Sequence, residues 1–261
     1  MKDARHLPLF VFSDLDDTLF CSVRKRALTA DSQPAALLKN GDVISYSNDR
    51  QRAFLNWLMR DARLVPVTAR SVEAYRRVLM SFPGPAIVSF GGVLLDADGR
   101  EDAQWAAHMA QVLAPAEPQL EDACTVLQRG IEARGLNAWA RVVREGGLAQ
   151  YVVAKHRDHD VHALTQLKVE VLQPWLAAHP GYRAHQNDNN LALLPPGLDK
   201  AQALEFLLAR LRQEHGAIVT VGFGDSYSDA DFMALCDYGL TPGGTQLGHR
   251  LAGRGGIGHA G

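Results

Sequence analysis

Short apolar runs alternate with segments that carry a helical stripe along much of the chain. Leu7–Ser13, "LPLFVFS", is nearly all apolar and stops at a polar cluster, the pattern of a strand buried on both faces. A helix is predicted from about Asp49 to Arg60, with Phe54, Leu55 and Leu58 on one face. A strand follows over Arg63–Arg70 ("RLVPVTAR"), then a helix over Ser71–Phe82 and a strand over Ala86–Phe90. Further on, Asp199–Gly216 reads as a long helix, Ala217–Asp225 as a strand and Asp229–Leu235 as a short helix. Strand–helix alternation of this kind predicts a parallel α/β sheet.

The middle has another rhythm. Trp139–His156 reads as two strands around a Gly146-Gly147 turn, and Tyr182–Pro196 as two more turning at Asp188-Asn189. Helical segments at Leu120–Ala133 and Asp160–Ala178 flank them. This α+β pattern predicts an inserted domain at 99–190, between core parts at 1–98 and 191–261. Residues 19–48 are too long for an ordinary connection of about two to six residues. With Arg24, Lys25 and Arg26 they read as an extended flap whose basic residues meet an anionic substrate, or as a surface hairpin. The residues from Thr241 on are glycine-rich and expected to be a loose tail.

Composition narrows the class. The chain has 261 residues, 47% hydrophobic and 21% charged, with net charge −2 from 27 basic and 29 acidic residues. No block of one sign suggests nucleic acid or a membrane surface as partner. Cys21, Cys124 and Cys236 are scattered, giving neither a disulfide framework nor a zinc knuckle. No apolar run approaches the roughly 20 residues that span a bilayer. The N-terminal apolar part is too short, and too soon acidic, for a signal peptide. A cytoplasmic protein is expected.

The chemistry sits at strand ends, where open α/β sheets bind ligands. Asp14, Asp16 and Asp17 follow the first strand, and Thr68 ends the second. Lys200 opens the long helix, and Asp225 and Asp229 follow the strand after it. Buried carboxylates repel one another unless a cation joins them. A hard cation with oxygen ligands, most simply Mg²⁺, answers the acids, and a phosphoryl group would answer Thr68, Lys200 and the loop N–H groups. Each residue also has a plainer role: Asp17 and Thr18 as loop braces, Thr68 as a local hydrogen-bonder, Asp229 as a helix N-cap, Arg70 in a surface ion pair.

The set Asp14-x-Asp16-x-Thr18, Thr68, Lys200, and Gly224-Asp225-x-x-x-Asp229, in that order, resembles the haloacid dehalogenase (HAD)-like hydrolase superfamily. The position and pattern of the insertion resemble its C2-type B cap, as in Cof-type and sucrose-phosphate phosphatase-like sugar phosphatases. The usual Asn-Gly-Ala at the way into the cap is Phe90-Gly91-Gly92 here. The resemblance implies a Rossmann-like core with an inserted cap, and hydrolysis of a small phosphorylated substrate. Asp14 would be the nucleophile and Asp16 the acid–base. Thr68 and Lys200, with the N–H groups of Leu15 and Asp16, would hold the phosphoryl group. Asp14, Asp16 (by its main-chain carbonyl) and Asp225 would hold Mg²⁺, and Asp229 would ligate it directly or orient Lys200 and a bound water. Arg70 and polar positions of the insertion (Gln150, Lys155, His185, Asn187, Asn189) are candidates for substrate contact.

Other classes compete. A sugar phosphomutase or phosphotransferase needs the same residues. A receiver domain also combines acids, Thr and Lys on a parallel sheet, but lacks an acidic pair after the Lys and a large insertion. A catalytically dead binding module would have lost part of this set.

Overall fold

In the computed structural model, which describes residues 7–253, β1 (Leu9–Ser13) is almost wholly buried, as its unbroken apolar sequence requires. Residues 14–20 make one tight turn, with the Leu19 N–H donating to the Leu15 carbonyl (2.9 Å) and Asp17 at φ 65°. The long stretch beyond is a three-stranded antiparallel flap: β2 (Cys21–Ser22), β3 (Gln33–Leu37) and β4 (Val43–Ser47), in the order β2–β4–β3. α1 (Asp49–Leu58) begins with a capping box between Asn48 and Gln51. It turns Leu55 and Leu58 inward, while Phe54 is 37% exposed and meets Phe223 edge-on at 5.6 Å.

After β5 (Ala62–Pro66) the helix expected to reach Phe82 lasts a single turn, α2 (Val72–Tyr75). The following residues pair with β3 instead: the Leu37 N–H donates to the Arg77 carbonyl (3.0 Å), and Leu79 to that of Ala35 (2.8 Å). The open edge of the flap offers backbone partners, and this tertiary demand overrides helical propensity. β6 (Ala86–Val88) and β7 (Val93–Leu95) form an antiparallel pair around a turn at 89–92.

Residues 103–198 form one compact unit, against the 99–190 read from the sequence. It opens with α3 (Ala103–Leu113), missed in the pattern, which buries Trp105, Met109 and Leu113 at successive turns. α4 (Glu117–Ala133), β8 (Ala138–Glu145) and β9 (Leu148–His156) follow. Then come α5 (Val161–Leu167), α6 (Gln173–Ala178), β10 (Arg183–Asn187) and β11 (Asn190–Leu194). A π-type turn at 168–172 joins α5 to α6 just ahead of Pro174, whose missing N–H disturbs the regular ladder. The sheet is antiparallel in the order β10–β11–β9–β8. Ala140, Val152, Ala154, Leu191 and Leu193 from its strands pack with Leu120, Leu127, Leu164 and Leu172. Because β11 pairs with β9, residues 190–194 belong to this unit.

The other compact unit joins residues up to Asp102 with those from Asp199. α7 (Lys200–His215) starts at the Asp199 N-cap and stops at Gly216, at φ 72°. β12 (Val219–Phe223), α8 (Ala230–Met233), β13 (Tyr238–Leu240) and α9 (Gln246–Leu251) complete it. The expected loose tail thus contains a capped helix as far as Leu251, and its end lies outside the described residues. The main sheet is parallel in the order β13–β12–β1–β5. The chain leaves β1 toward β5 on one side and returns at β12 on the other, so a crevice is expected at the carboxyl ends of β1 and β12. Among the described residues no helix is long and apolar enough to cross a membrane.

Candidate active site

Asp14 follows β1 directly, and its N–H donates to the Phe223 carbonyl at the end of β12 (2.8 Å). That bond draws the first acidic loop against the loop of Asp225. Gly224, between β12 and Asp225, has no room for a side chain: a Cβ there would lie 2.5 Å from the Asp229 Cβ. Glycine at this point lets Asp229 lie against the backbone.

Four charged side chains from three separate stretches of the chain meet here. The Lys200 ammonium donates to Asp14 Oδ1 (2.7 Å) and to Asp229 Oδ1 (2.8 Å), and lies 5.6 Å from the Phe232 ring centre. Lys200 is only 5% exposed. Asp229 Oδ2 accepts from the Asp225 N–H (3.2 Å), the Ser226 N–H (3.0 Å) and the Ser226 hydroxyl (2.7 Å). Its carboxylate therefore grips the preceding loop and makes no side-chain cap to α8. The Thr18 hydroxyl donates to Asp225 Oδ1 (3.3 Å). Oxygens of Asp14, Asp225 and Asp229 all lie within 4.8 Å of one another.

The charges do not balance. Burial pushes the Asp14 carboxyl well above its usual range; Lys200 opposes this, and Asp229, Asp225 and Asp16 add to it. Burial, then Asp229 and Asp17, push Asp225 up to about 7 against the pull of Lys200. Burial would also raise Asp229, but the Lys200 charge and hydrogen bond, with those from Ser226, bring it below the ordinary value. Burial would lower the Lys200 ammonium; Asp14 and Asp229 more than reverse that. One ammonium among three buried acids leaves negative charge over. An all-oxygen donor set with that excess suits a hard divalent cation, so the residues fit such an ion.

Asp16 is held differently. Arg70 grips both its oxygens, from Nε and Nη2, each at 2.7 Å. The pair is not a solvent-facing one: the Arg70 side chain is 14% exposed and lies over the Phe20 ring. Its Nη1 reaches the Ala74 carbonyl (3.4 Å), so the predicted substrate contact of Arg70 competes with bonds inside the protein. Thr68 is buried, and its hydroxyl oxygen accepts from the Arg70 N–H (3.2 Å). Leu15 has its side chain in the apolar core, so only its backbone can meet a ligand. Asp17 forms an ion pair with Lys25 of the flap, while Arg24 and Arg26 are exposed.

The candidates of the insertion lie in the other unit. Asn187 is half-buried on β10, opposite Asn190. Lys155 and His185 are half-buried on β9 and β10. Asn189 is a turn brace: it accepts from the His156 N–H (2.9 Å), donates to the His156 carbonyl (2.8 Å) and meets His159 Nδ1 (2.8 Å). Gln150 is buried, and its Oε1 finds no partner among the described residues. Ser226 and the Asp16–Arg70 pairing escaped the sequence reading, and Thr18 entered it as a motif residue and a brace, without its bond to Asp225. Ser226 stands inside "GDSYSD", so a hydroxyl beside a motif acid was the available signal.

No family model and no curated protein matches the chain. Solved structures do. The C. albicans trehalose-6-phosphate phosphatase C-terminal domain is 13% identical, with a TM-score of 0.53, over 87% of this chain and 73% of that one. An N-terminally truncated Plasmodium falciparum IMP-nucleotidase is 14% identical, with a TM-score of 0.54, over 90% of this chain and 66% of that one. A Thermoplasma acidophilum protein, 0175, is 12% identical, with a TM-score of 0.52, over 94% and 88%. At these identities the likeness is one of fold. The chain has the fold of the HAD-like phosphatases: an α/β, Rossmann-like parallel-sheet core interrupted by an α+β domain.

Proposed function

We propose that this protein is a phosphatase that hydrolyses the phosphate monoester of a sugar or sugar derivative through an aspartyl-phosphate on Asp14, with Mg²⁺ as cofactor. The observation that carries the reading is the convergence of Asp14, Lys200, Asp225 and Asp229 at one edge of the parallel sheet, with acid left over. Asp14, Asp225 and Asp229, with the main-chain carbonyl of Asp16, would hold Mg²⁺. When bound, the ion would offset the acids and the charge on the phosphoryl oxygens.

A carboxylate oxygen of Asp14 attacks phosphorus, and the bond from phosphorus to the sugar oxygen breaks. Asp16 gives its proton to that departing oxygen. It then takes a proton from a water, which attacks phosphorus and releases inorganic phosphate, restoring Asp14. Lys200 and Thr68, with the N–H groups of Leu15 and Asp16, hold the equatorial oxygens as charge develops there. Arg70 holds Asp16 at rest; both its bonds to that carboxylate must open before Asp16 can turn to a ligand, and the guanidinium they release is then available to the substrate. The insertion, including Asn187, supplies substrate selectivity.

The test is phosphate release from a panel of sugar phosphates, with Mg²⁺ and with chelator, and with Asp14→Asn as control. Release by the wild type alone, dependent on Mg²⁺, supports the reading. No release from any ester sinks it, and isomerised sugar phosphate without net loss assigns the same residues to a mutase.

A further inference from the structure

The turn between β6 and β7 is built at a cost. Ser89, Phe90 and Gly91 all have positive φ, at 52°, 58° and 96°, in a region that side-chain-bearing residues avoid. Ser89 is fully buried and Phe90 is 4% exposed, so no solvent contact explains the shape. Strain of this kind persists only where the surroundings fix it, and it gathers at working sites.

Two sets of contacts fix this turn. On one side, the Ser89 N–H donates to the Arg70 carbonyl (2.7 Å), and the Phe90 N–H to the Thr68 carbonyl (3.2 Å). Both acceptors stand at the end of the second predicted strand, beside the acidic cluster. On the other side, Gly91 lies against the first residues of α7: a Cβ at position 91 would sit 2.2 Å from the Asp199 carbonyl oxygen and 3.1 Å from the Lys200 nitrogen. Backbone thus touches backbone at the root of the helix that presents the Lys200 ammonium.

We propose that the Ser89–Phe90–Gly91 turn is a positioning element for catalysis. It sets the spacing between the Thr68–Arg70 loop and the start of α7, and Gly91 is its bearing surface on that helix. The inference rests on the phosphatase reading. It accounts for a glycine held behind Phe90, which replaces the Asn of the resembling family: Gly91 supplies the backbone approach, and the buried Phe90 side chain anchors the turn that presents it.

The experiment pairs Gly91→Ala with Gly99→Ala, a glycine also at positive φ (75°) but with open space around it. Both variants carry left-handed strain, and only the first adds a clash with α7. Two readouts are taken on folded protein: acylation of Lys200 followed by mass spectrometry, and kcat and KM for phosphate release. Lys200, buried and doubly hydrogen-bonded, acylates slowly in the wild type and in Gly99→Ala. Gly91→Ala raises that rate about tenfold and lowers kcat about 10²-fold, the usual effect of a misplaced group, with less change in KM. A folded Gly91→Ala with wild-type labelling and kcat overturns the proposal. If Gly91→Ala does not fold, Phe90→Gly decides by the same readouts, since it releases the turn without adding a clash. Labelling and turnover that match the wild type in that variant also overturn it. A wild type that releases no phosphate defeats the phosphatase reading, while the labelling comparison still decides whether the turn holds Lys200.

Discussion

Among the described residues, the buried carboxylates and the buried ammonium, Asp14, Lys200, Asp225 and Asp229, all lie in the core, whereas the inserted domain buries uncharged Gln150 and Asn189 with His156. In the insertion, Asn189 uses its amide on the backbone at His156 and on the His159 ring, so it acts as a local pin between a turn and a loop. In the core, Asp14 and Asp225 remain under-compensated even with Lys200 present. A buried polar group satisfied by its neighbours is architecture. A buried charge left in excess is stored for a ligand, and only the second kind points to chemistry.

Mutations in the two regions should therefore act on different observables. The largest effect is expected from Asp14→Asn. Phosphate release drops to background while the ion-free melting temperature holds or rises, because a neutral amide removes a charge that burial disfavours. A clear fall in melting temperature alongside lost activity would make Asp14 structural and break the contrast. Asp16→Asn should come next, with kcat lowered about 10²- to 10⁴-fold in the same assay and a circular dichroism spectrum like the wild type.

A smaller effect concerns pH and metal. Asp225 titrates near 7 in the folded state against an ordinary 3.8, so between those values the native protein holds more protons than the unfolded chain. Stability of the ion-free protein from this site is therefore present below pH 3.8 and lost as pH rises toward 7. A divalent cation binds the deprotonated acids, so the thermal shift on adding Mg²⁺ should be larger at pH 8 than at pH 5.5, with an upper scale of about 2.7 kcal/mol at a hundredfold excess over Kd. An equal shift at both values would argue that the ion binds elsewhere. The smallest effect on turnover is expected from Asn189→Ala. Loss of its bonds should cost about 1–3 kcal/mol of stability, read by denaturant titration, with kcat nearly unchanged. A kcat collapse there would move a working residue into the insertion.

The acidic loops were legible because each is a short local word: Asp14-x-Asp16-x-Thr18 after an apolar strand, and Gly224-Asp225-x-x-x-Asp229 after another. The π-type turn ahead of Pro174 and the single turn of α2 were not, since the first depends on a missing N–H inside an otherwise helical stripe and the second on β3 lying nearby in space. The grip of Arg70 on Asp16 links positions 54 apart, and no periodicity reports such a pairing.

Asp229 carries a further chemical restriction. One of its oxygens faces an ammonium, and the other faces two backbone N–H groups and a hydroxyl. An amide in its place owns one acceptor and one donor, so the Asp229→Asn side chain would aim hydrogens at hydrogens whichever way it rotated. A longer Glu would overreach the tight space beside Gly224. The position suits neither of its nearest chemical relatives, so either substitution should disturb the Lys200 contact and the bonds to the Asp225–Ser226 loop together.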